Sequence, residues 1–290
     1  MTPERRRPLV SGTAYALHVC LALASMLAAL FTLTVPGLLS GPAAMIGSAR
    51  GTALVVLLGG VPSLVAGVAL ARQGSVRGLT FACGGTAYLL YNAFMLLFAT
   101  PFNRAFLACE VMFGLALWLL VLLARRLWGI AIPLERVSLR PVAVFMLVVV
   151  ALNALAWLAR VVPATFASRP GSLLDGTGLT TNPVYVQDLA VWLPAYAWLA
   201  VGVWKAHGPR VLLAAGALWC WVLEAASVAV DQWWGHHLDP GSSVTSLAVV
   251  PLFVVLALVI VWPLVQVLRV VPVRGAEATP AAHPHSPARA

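Results

Sequence analysis

Apolar residues form eight long stretches along the chain, separated by short connections that are rich in Pro and Gly. A bilayer core about 30 Å thick requires roughly 20 apolar residues in a helix that rises about 1.5 Å per residue. The pattern therefore predicts an all-α, polytopic transmembrane helical bundle of about eight spans. The predicted spans are 14–36, 52–72, 78–100, 104–127, 141–162, 184–206, 210–232 and 244–270.

Composition supports the same fold class. Apolar residues make up 61% of the chain, charged residues make up 9%, and the mean hydropathy is +0.95. A water-soluble domain carries about 25% charged residues, so we expect the lipid bilayer to be the solvent of this chain. Its cysteines all lie inside apolar stretches without metal-ligand spacing, which disfavours a disulfide framework or a zinc site.

Basic residues predict the orientation of the spans. Lys and Arg concentrate in every second connection and near both chain ends, whereas the remaining connections hold only Arg50, Arg104, Arg160 and Arg169. Because cytoplasmic loops are enriched in Lys and Arg, this alternation predicts a plasma-membrane protein with both termini in the cytoplasm. The net charge of +9 is spread over five short segments, so it gives no support for nucleic-acid binding.

The predicted organisation has three parts. Residues 1–13 form a short basic cytoplasmic arm, residues 14–272 form the transmembrane domain, and residues 273–290 form a disordered cytoplasmic tail rich in Pro and Ala. A cleaved signal peptide is an alternative for the first span. Its apolar run, however, exceeds the roughly 7–15 residues that are typical of such peptides.

Polar side chains inside the predicted spans are the candidates for function, because an ionisable group in hydrocarbon costs roughly 2.5–3.5 kcal/mol. They recur at helical spacing on spans three to seven, toward the predicted outer face. We therefore predict an outward-facing polar cavity between these spans. Its predicted lining residues are Tyr88, Tyr91, Asn92, Glu110, Asn153, Arg160, Tyr185, Asp188, Trp192, Glu224 and Asp231.

A purely structural interpretation stands beside the cavity. Tyr and Trp near span ends belong to interfacial belts in many membrane proteins, Asp188 near a helix start favours the helix dipole, and Asp231 is compatible with the headgroup level. Glu110 and Glu224 lie too deep for a short side chain to reach water. Arg160 is the basic residue closest to the predicted cavity, with Asp188 and Glu224 as its predicted partners.

The sequence contains no recognised catalytic motif. There is no nucleophile elbow, metalloprotease motif, phosphate-binding loop or dinucleotide fingerprint, which favours a role other than catalysis, and we expect no cofactor. His236 and His237 are adjacent, whereas metal-binding helices commonly space two histidines by four, so we predict no metal site. No protein partner is indicated.

Short motifs in the middle third of the chain resemble segments of uncharacterised multi-pass membrane proteins of high-GC bacteria. The similar segments are Tyr88-Leu-Leu-Tyr91-Asn92, Pro101-Phe102-Asn103 and Asn182-Pro183-Val184-Tyr185-Val186-Gln187-Asp188-Leu189. These proteins have no assigned activity, so the resemblance implies none. It draws attention to Tyr91, Asn92, Asn103, Tyr185 and Asp188.

Three functional hypotheses follow. The first is binding or transport of a small solute or ion through the polar cavity, with proton coupling through Glu110, Asp188 or Glu224. The second is a non-catalytic accessory or scaffold protein whose polar residues hold the helices together. The third, supported by no motif, is an intramembrane enzyme that acts on a lipid-linked substrate with an acid as general base.

Overall fold

The structure, a computed structural model, describes residues 8–132, 134 and 138–274. Eight helical segments in this part are long and apolar enough to cross a membrane, which confirms an all-α bundle of eight spans and a multi-pass membrane protein. The α-helices are α1 (Gly12–Thr34), α2 (Ala43–Val55), α3 (Val61–Arg72), α4 (Val76–Phe98), α5 (Phe106–Trp128), α6 (Arg140–Thr165), α7 (Pro183–Gln187), α8 (Leu193–Trp204), α9 (Gly208–Leu238) and α10 (Val250–Val270).

Two of the spans are interrupted by a π-helical turn. The turn Val56–Gly60 joins α2 to α3, and the turn Asp188–Trp192 joins α7 to α8. Pro62 and Pro194 follow these turns at the start of the next helix. A proline ring clashes with the carbonyl four residues earlier, and a wide π turn relieves that clash. The spans accommodate these two prolines through π turns.

Side-chain caps mark several helix starts. Ser75 Oγ accepts the Gly78 N–H at 3.0 Å at the start of α4. Asn182 Oδ1 accepts the Val184 N–H at 3.0 Å at the start of α7, and Pro183 follows in the first turn of the helix. Asn103 belongs instead to the turn before α5, where its Oδ1 accepts the Ala105 N–H at 2.9 Å.

Helices α4 and α9 form the centre of the bundle. The spans Val76–Phe98 and Gly208–Leu238 are the most buried, whereas the spans containing α6 and α10 are mostly exposed to the surroundings. Helix α9 packs against α2, α4, α8 and α10. At the α4–α9 crossing, a Cβ added to Gly84 would overlap the Gly216 carbonyl oxygen. The two backbones approach this closely because both positions are glycine.

Two segments that the sequence predicts as connections are helical. Helix α9 continues to Leu238, so the predicted outer loop 231–239 is almost wholly helix. Helix α2 begins at Ala43, so Arg50 lies within a helix. The two extensions pack on each other, since a Cβ added to Gly47 would lie 2.6 Å from the Gly235 Cα. Close packing thus extends these helices beyond their apolar stretches.

Charge divides the bundle between its two ends. We name the "basic end" the end formed by the α3–α4, α5–α6 and α8–α9 connections together with the last turn of α10. Among described residues, the basic side chains at this end are Arg72, Arg77, Arg125, Arg126, Arg140, Lys205, Arg210, Arg269 and Arg274. No described acid lies there. Most of the predicted arm (residues 1–7) and of the predicted tail (residues 275–290) lies outside the described residues.

The α4–α9 contact gives a first testable prediction. The variant Gly84→Ala should lose about 1–3 kcal/mol of stability, because its methyl group must push the α9 backbone away. Thermal unfolding of the purified protein in detergent micelles measures this loss.

Gly114→Ala on α5 is the matched control. A Cβ at Gly114 meets nothing within 4 Å, and Ala favours a helix over Gly by up to about 1 kcal/mol, so its melting temperature should stay equal or rise. Equal melting temperatures for the two variants would contradict the close contact.

Candidate functional site

Glu224 lies near the middle of α9, about 20 Å from the helix end at about 1.5 Å per residue. Its Oε1 accepts a hydrogen bond of 2.9 Å from Asn92 Nδ2 on α4. Asn92 Nδ2 also donates to the Tyr88 carbonyl oxygen at 3.0 Å. Glu224 is deeply enclosed by protein atoms, yet it keeps some accessible surface. Glu224 is therefore mostly, but not fully, enclosed by neighbouring helices.

Asp188 lies on the first residue of the π turn between α7 and α8 and is 7% exposed. Its Oδ2 accepts a hydrogen bond of 2.8 Å from Trp157 Nε1 on α6. The Tyr91 hydroxyl on α4 lies beside the same carboxyl group. The Asn182 cap, the adjacent proline and the π turn together set the position of Asp188 on its helix.

Asp188 and Glu224, which we call the acid pair, are close enough for their charges to interact. Every hydrogen-bond donor to the acid pair in the described part of the chain is neutral. The ion pair in the described part of the chain joins Arg169 to Asp175 at 3.8 Å, and it lies on an exposed loop. Two carboxyl groups from different spans thus lie within electrostatic range of each other inside the bundle, and no basic side chain among the described residues is bonded to either.

Aromatic rings surround the acid pair. The Trp192 ring lies 6.0 Å from Tyr91 on one side and 6.0 Å from Tyr196 on the other, centroid to centroid. Tyr185 lies 5.0 Å from Trp157, the donor to Asp188. Three of these residues, Tyr185, Trp192 and Tyr91, belong to the set predicted from the sequence. Trp157 and Tyr91 direct polar groups toward Asp188, and the other rings complete an aromatic cluster beside it.

The structure adds residues that the sequence prediction did not include. Trp157 follows Asn153 by one helical turn on α6, so the two residues share a helix face. Gln187 is 5% exposed; its Oε1 accepts from Trp192 Nε1 at 3.0 Å, and its buried Nε2 has no partner among the described residues. Tyr196 donates to Cys220 Sγ at 3.5 Å. The contact between α8 and α9 at Tyr196 is visible only in the tertiary structure.

Further polar contacts follow Glu224 toward the C-terminal end of α9. The Tyr88 hydroxyl on α4 donates to Ser227 Oγ at 3.2 Å, a second contact between α4 and α9. Asp231, one turn further along α9, lies against α2, where Ser48 is a polar neighbour, and Gln232 Nε2 of its own helix donates to its Oδ1 at 3.1 Å. Asp231 is therefore partly enclosed between α9 and α2.

Three predicted residues do not join the cluster. Glu110 is exposed on α5, so the expected convergence of three acids is corrected to the acid pair. Arg160 is exposed on α6, and the Asp188 carboxyl that it was expected to meet is bound by Trp157 instead. Asn153 is half-buried and has no side-chain hydrogen bond among the described residues. The rotation of each helix about its own axis decides whether these side chains point toward the acid pair.

A separate cavity of about 280 Å³ lies at the end of the bundle opposite the basic end. Its walls are the connection after α1, the start of α2, the end of α4 and the connection before α7. None of its lining residues is ionisable, so it belongs to a different environment from the acid pair. No three metal-ligating side chains cluster in the part of the chain that the structure describes.

Comparison with known proteins does not extend this description. No protein-family model, curated protein or solved structure matches the chain. The resemblance to membrane proteins of high-GC bacteria stays a prediction, and the site is argued from its geometry alone.

The Asn92–Glu224 contact gives a second prediction. A double-mutant cycle of Asn92→Ala and Glu224→Ala, measured by unfolding in detergent, should show a coupling energy of about 0.6–1.7 kcal/mol, the range known for hydrogen bonds between membrane helices.

The control cycle pairs Asn92→Ala with Glu110→Ala. Because Glu110 is exposed on another helix, the two effects should add. Equal coupling in both cycles would show that the Asn92–Glu224 hydrogen bond is not formed.

Proposed function

We propose that the chain binds a small cationic solute or ion at the acid pair and passes it across the membrane. The observation that supports this proposal is the pair itself, two enclosed carboxyl groups from different spans whose described donors are all neutral. A buried anion is stable only when a counter-charge or a proton meets it. A bound cation, including a proton, would supply that counter-charge.

The aromatic rings favour a cation over a neutral or anionic solute. Ring faces attract cations within about 6 Å of their centroids, and Tyr91, Trp192 and Tyr196 follow one another beside the acid pair. An anion would be repelled by both carboxyl groups. The ligand class that fits best is therefore an inorganic cation or a small ammonium compound.

The helix interruption at Asp188 supports movement of the solute. Discontinuous helices commonly form the binding sites of transporters, because unwound turns leave backbone groups available for ligands. The π turn Asp188–Trp192 places one member of the acid pair and one aromatic ring on a wide, irregular turn within its span.

A non-catalytic scaffold function is the second candidate, and one observation favours it. The polar contacts Asn92–Glu224, Trp157–Asp188 and Tyr88–Ser227 each join two different spans. Hydrogen bonds of this kind hold membrane helices together. In this interpretation the acid pair stabilises the bundle and no solute binds.

Flux through reconstituted vesicles separates the two candidates and is the third prediction. Methylammonium, Na⁺, K⁺ and H⁺ serve as probes, and we expect at least one of them to move faster than in protein-free vesicles. Asp188→Asn and Glu224→Gln should each reduce that flux at least about tenfold, since each removes a charge-assisted contact worth about 1.5–3 kcal/mol.

Glu110→Gln is the matched control and should leave the flux unchanged, because Glu110 is exposed and apart from the acid pair. Flux equal to that of protein-free vesicles for all four probes would overturn the transport proposal. Lower melting temperatures of the two acid-pair variants, together with that result, would support the scaffold instead.

We propose further that the protein lies in the plasma membrane with both termini in the cytoplasm. The support is the one-sided distribution of the described basic residues, since cytoplasmic connections are enriched in Lys and Arg. Such an orientation would place the basic end against the anionic cytoplasmic leaflet.

Cysteine labelling with a membrane-impermeant maleimide tests this orientation and is the fourth prediction. Gln73 lies at the basic end and Ser168 in the connection between α6 and α7, and both are exposed. Ser168→Cys should react in intact cells, and Gln73→Cys only after permeabilisation. The unsubstituted protein gives the background, and the reverse pattern would overturn the orientation.

A further inference from the structure

Two stacked tryptophans and an arginine form a corner at the basic end where α5, α8 and α9 meet. The Trp128 and Trp198 rings are stacked at 5.7 Å with an interplanar angle of 8°. The guanidinium carbon of Arg210 lies 4.2 Å from the centre of the Trp198 ring. His207 lies 5.2 Å from the Trp128 ring. We call these four residues the Trp–Arg corner.

The position of Arg210 is determined by its neighbours. A Cβ added to Gly202 would overlap the aliphatic part of the Arg210 side chain, so this stem lies across a glycine on α8. The Trp198 ring supports the guanidinium from the other side. An arginine held by a glycine notch and an aromatic face is pre-organised, which lowers the entropic cost of binding a ligand.

Polar nitrogens at this corner lack hydrogen-bond partners. The buried Arg210 Nε, a donor, and the buried His207 Nδ1, which donates or accepts according to its tautomer, have no partner among the described residues. The corner is also the start of α9, where no side chain caps the first-turn amides. Buried polar groups without partners are rare in folded proteins and point to a ligand at this corner.

The chemistry of this corner fits an anion at the level of the lipid headgroups. Trp128 and Trp198 are each 44% exposed, and both lie near the ends of spans, where tryptophan meets the headgroup region. No described acid lies at the basic end to compete for Arg210. A guanidinium binds phosphate oxygens in a bidentate manner, and the adjacent rings can contact the upper part of an acyl chain.

We propose that the Trp–Arg corner is a binding site for the phosphate group of an anionic phospholipid. Arg210 binds the phosphate, His207 contributes a further polar contact, and the paired rings of Trp128 and Trp198 pack against the lipid. Basic pockets between helices on one membrane side bind such headgroups in other membrane proteins. This site is independent of the acid pair and of the proposed transport.

Native mass spectrometry of the full-length protein in detergent tests the site, with phosphatidylglycerol and phosphatidylcholine as probes. The unsubstituted protein should retain one phosphatidylglycerol in preference to phosphatidylcholine. Arg210→Gln should weaken that binding at least about tenfold, the loss expected for a charge-assisted hydrogen bond. Gly202→Val should weaken it as well, because the added side chain displaces Arg210.

Arg269→Gln is the matched control at the same end. The Arg269 guanidinium donates to Gln266 of its own helix at 3.2 Å, so its loss should weaken binding by no more than about fivefold, as expected for a diffuse surface charge. Arg210→Lys provides a second, conservative variant if Arg210→Gln fails to fold. It keeps the charge without the planar fork and should bind with intermediate strength.

Several results would overturn the proposal. Equal losses for Arg210→Gln and Arg269→Gln would mean that the lipid senses only the general charge of this end. Displacement of the lipid by millimolar inorganic phosphate would identify a free anion as the ligand. Glu135 lies outside the described residues. If selective lipid binding appeared only in the Glu135→Gln variant, the partner of Arg210 in the unsubstituted protein would be Glu135 rather than the lipid. Asp188→Asn should retain the lipid, whatever its effect on flux.

Discussion

A carboxyl group in the middle of a membrane helix needs a polar partner from another helix, because lipid offers none. Glu224 meets this requirement through Asn92, and the contact exists because α4 and α9 approach at Gly84 and Gly216. Two glycines several residues away along each helix thus set the geometry of a polar contact. The arrangement of the neighbouring spans around the acid pair depends on this single crossing.

The second member of the pair, Asp188, depends on a different device. A π turn ahead of Pro194 widens the helix at this residue, and Trp157 on α6 approaches the carboxyl group from outside the central helices. The same turn relieves the proline clash and carries the acid. A local requirement of proline geometry and the chemistry of the site therefore coincide at one position.

The two proposed functions of the acid pair use the same contacts. Hydrogen bonds from Asn92 and Trp157 hold the helices together, and they also hold two carboxyl groups from different spans within electrostatic range. A neutral amide oxygen would accept the same cross-span hydrogen bonds. Two ionised carboxyl groups add mutual repulsion to these contacts, and this excess negative charge is the reason to propose a cationic ligand. At the basic end the charge imbalance is reversed, because the Trp–Arg corner offers pre-organised donors and no described acid lies there.

The number of spans followed from the sequence alone, because hydrophobic length and proline positions are local properties of a chain in lipid. The cap at Asn182 and the polar character of Tyr91, Asn92, Asp188 and Glu224 were equally local. Which acids meet was decided by tertiary structure. Glu110 shares with Glu224 the sequence signal of an acid inside a predicted span, yet it lies one turn from the start of α5 and is exposed, because a helix's rotation is set by packing contacts distant in the chain. The helical extension of α9 to Leu238 has the same origin, since its packing on α2 through Gly47 and Gly235 outweighs the polar character of that segment.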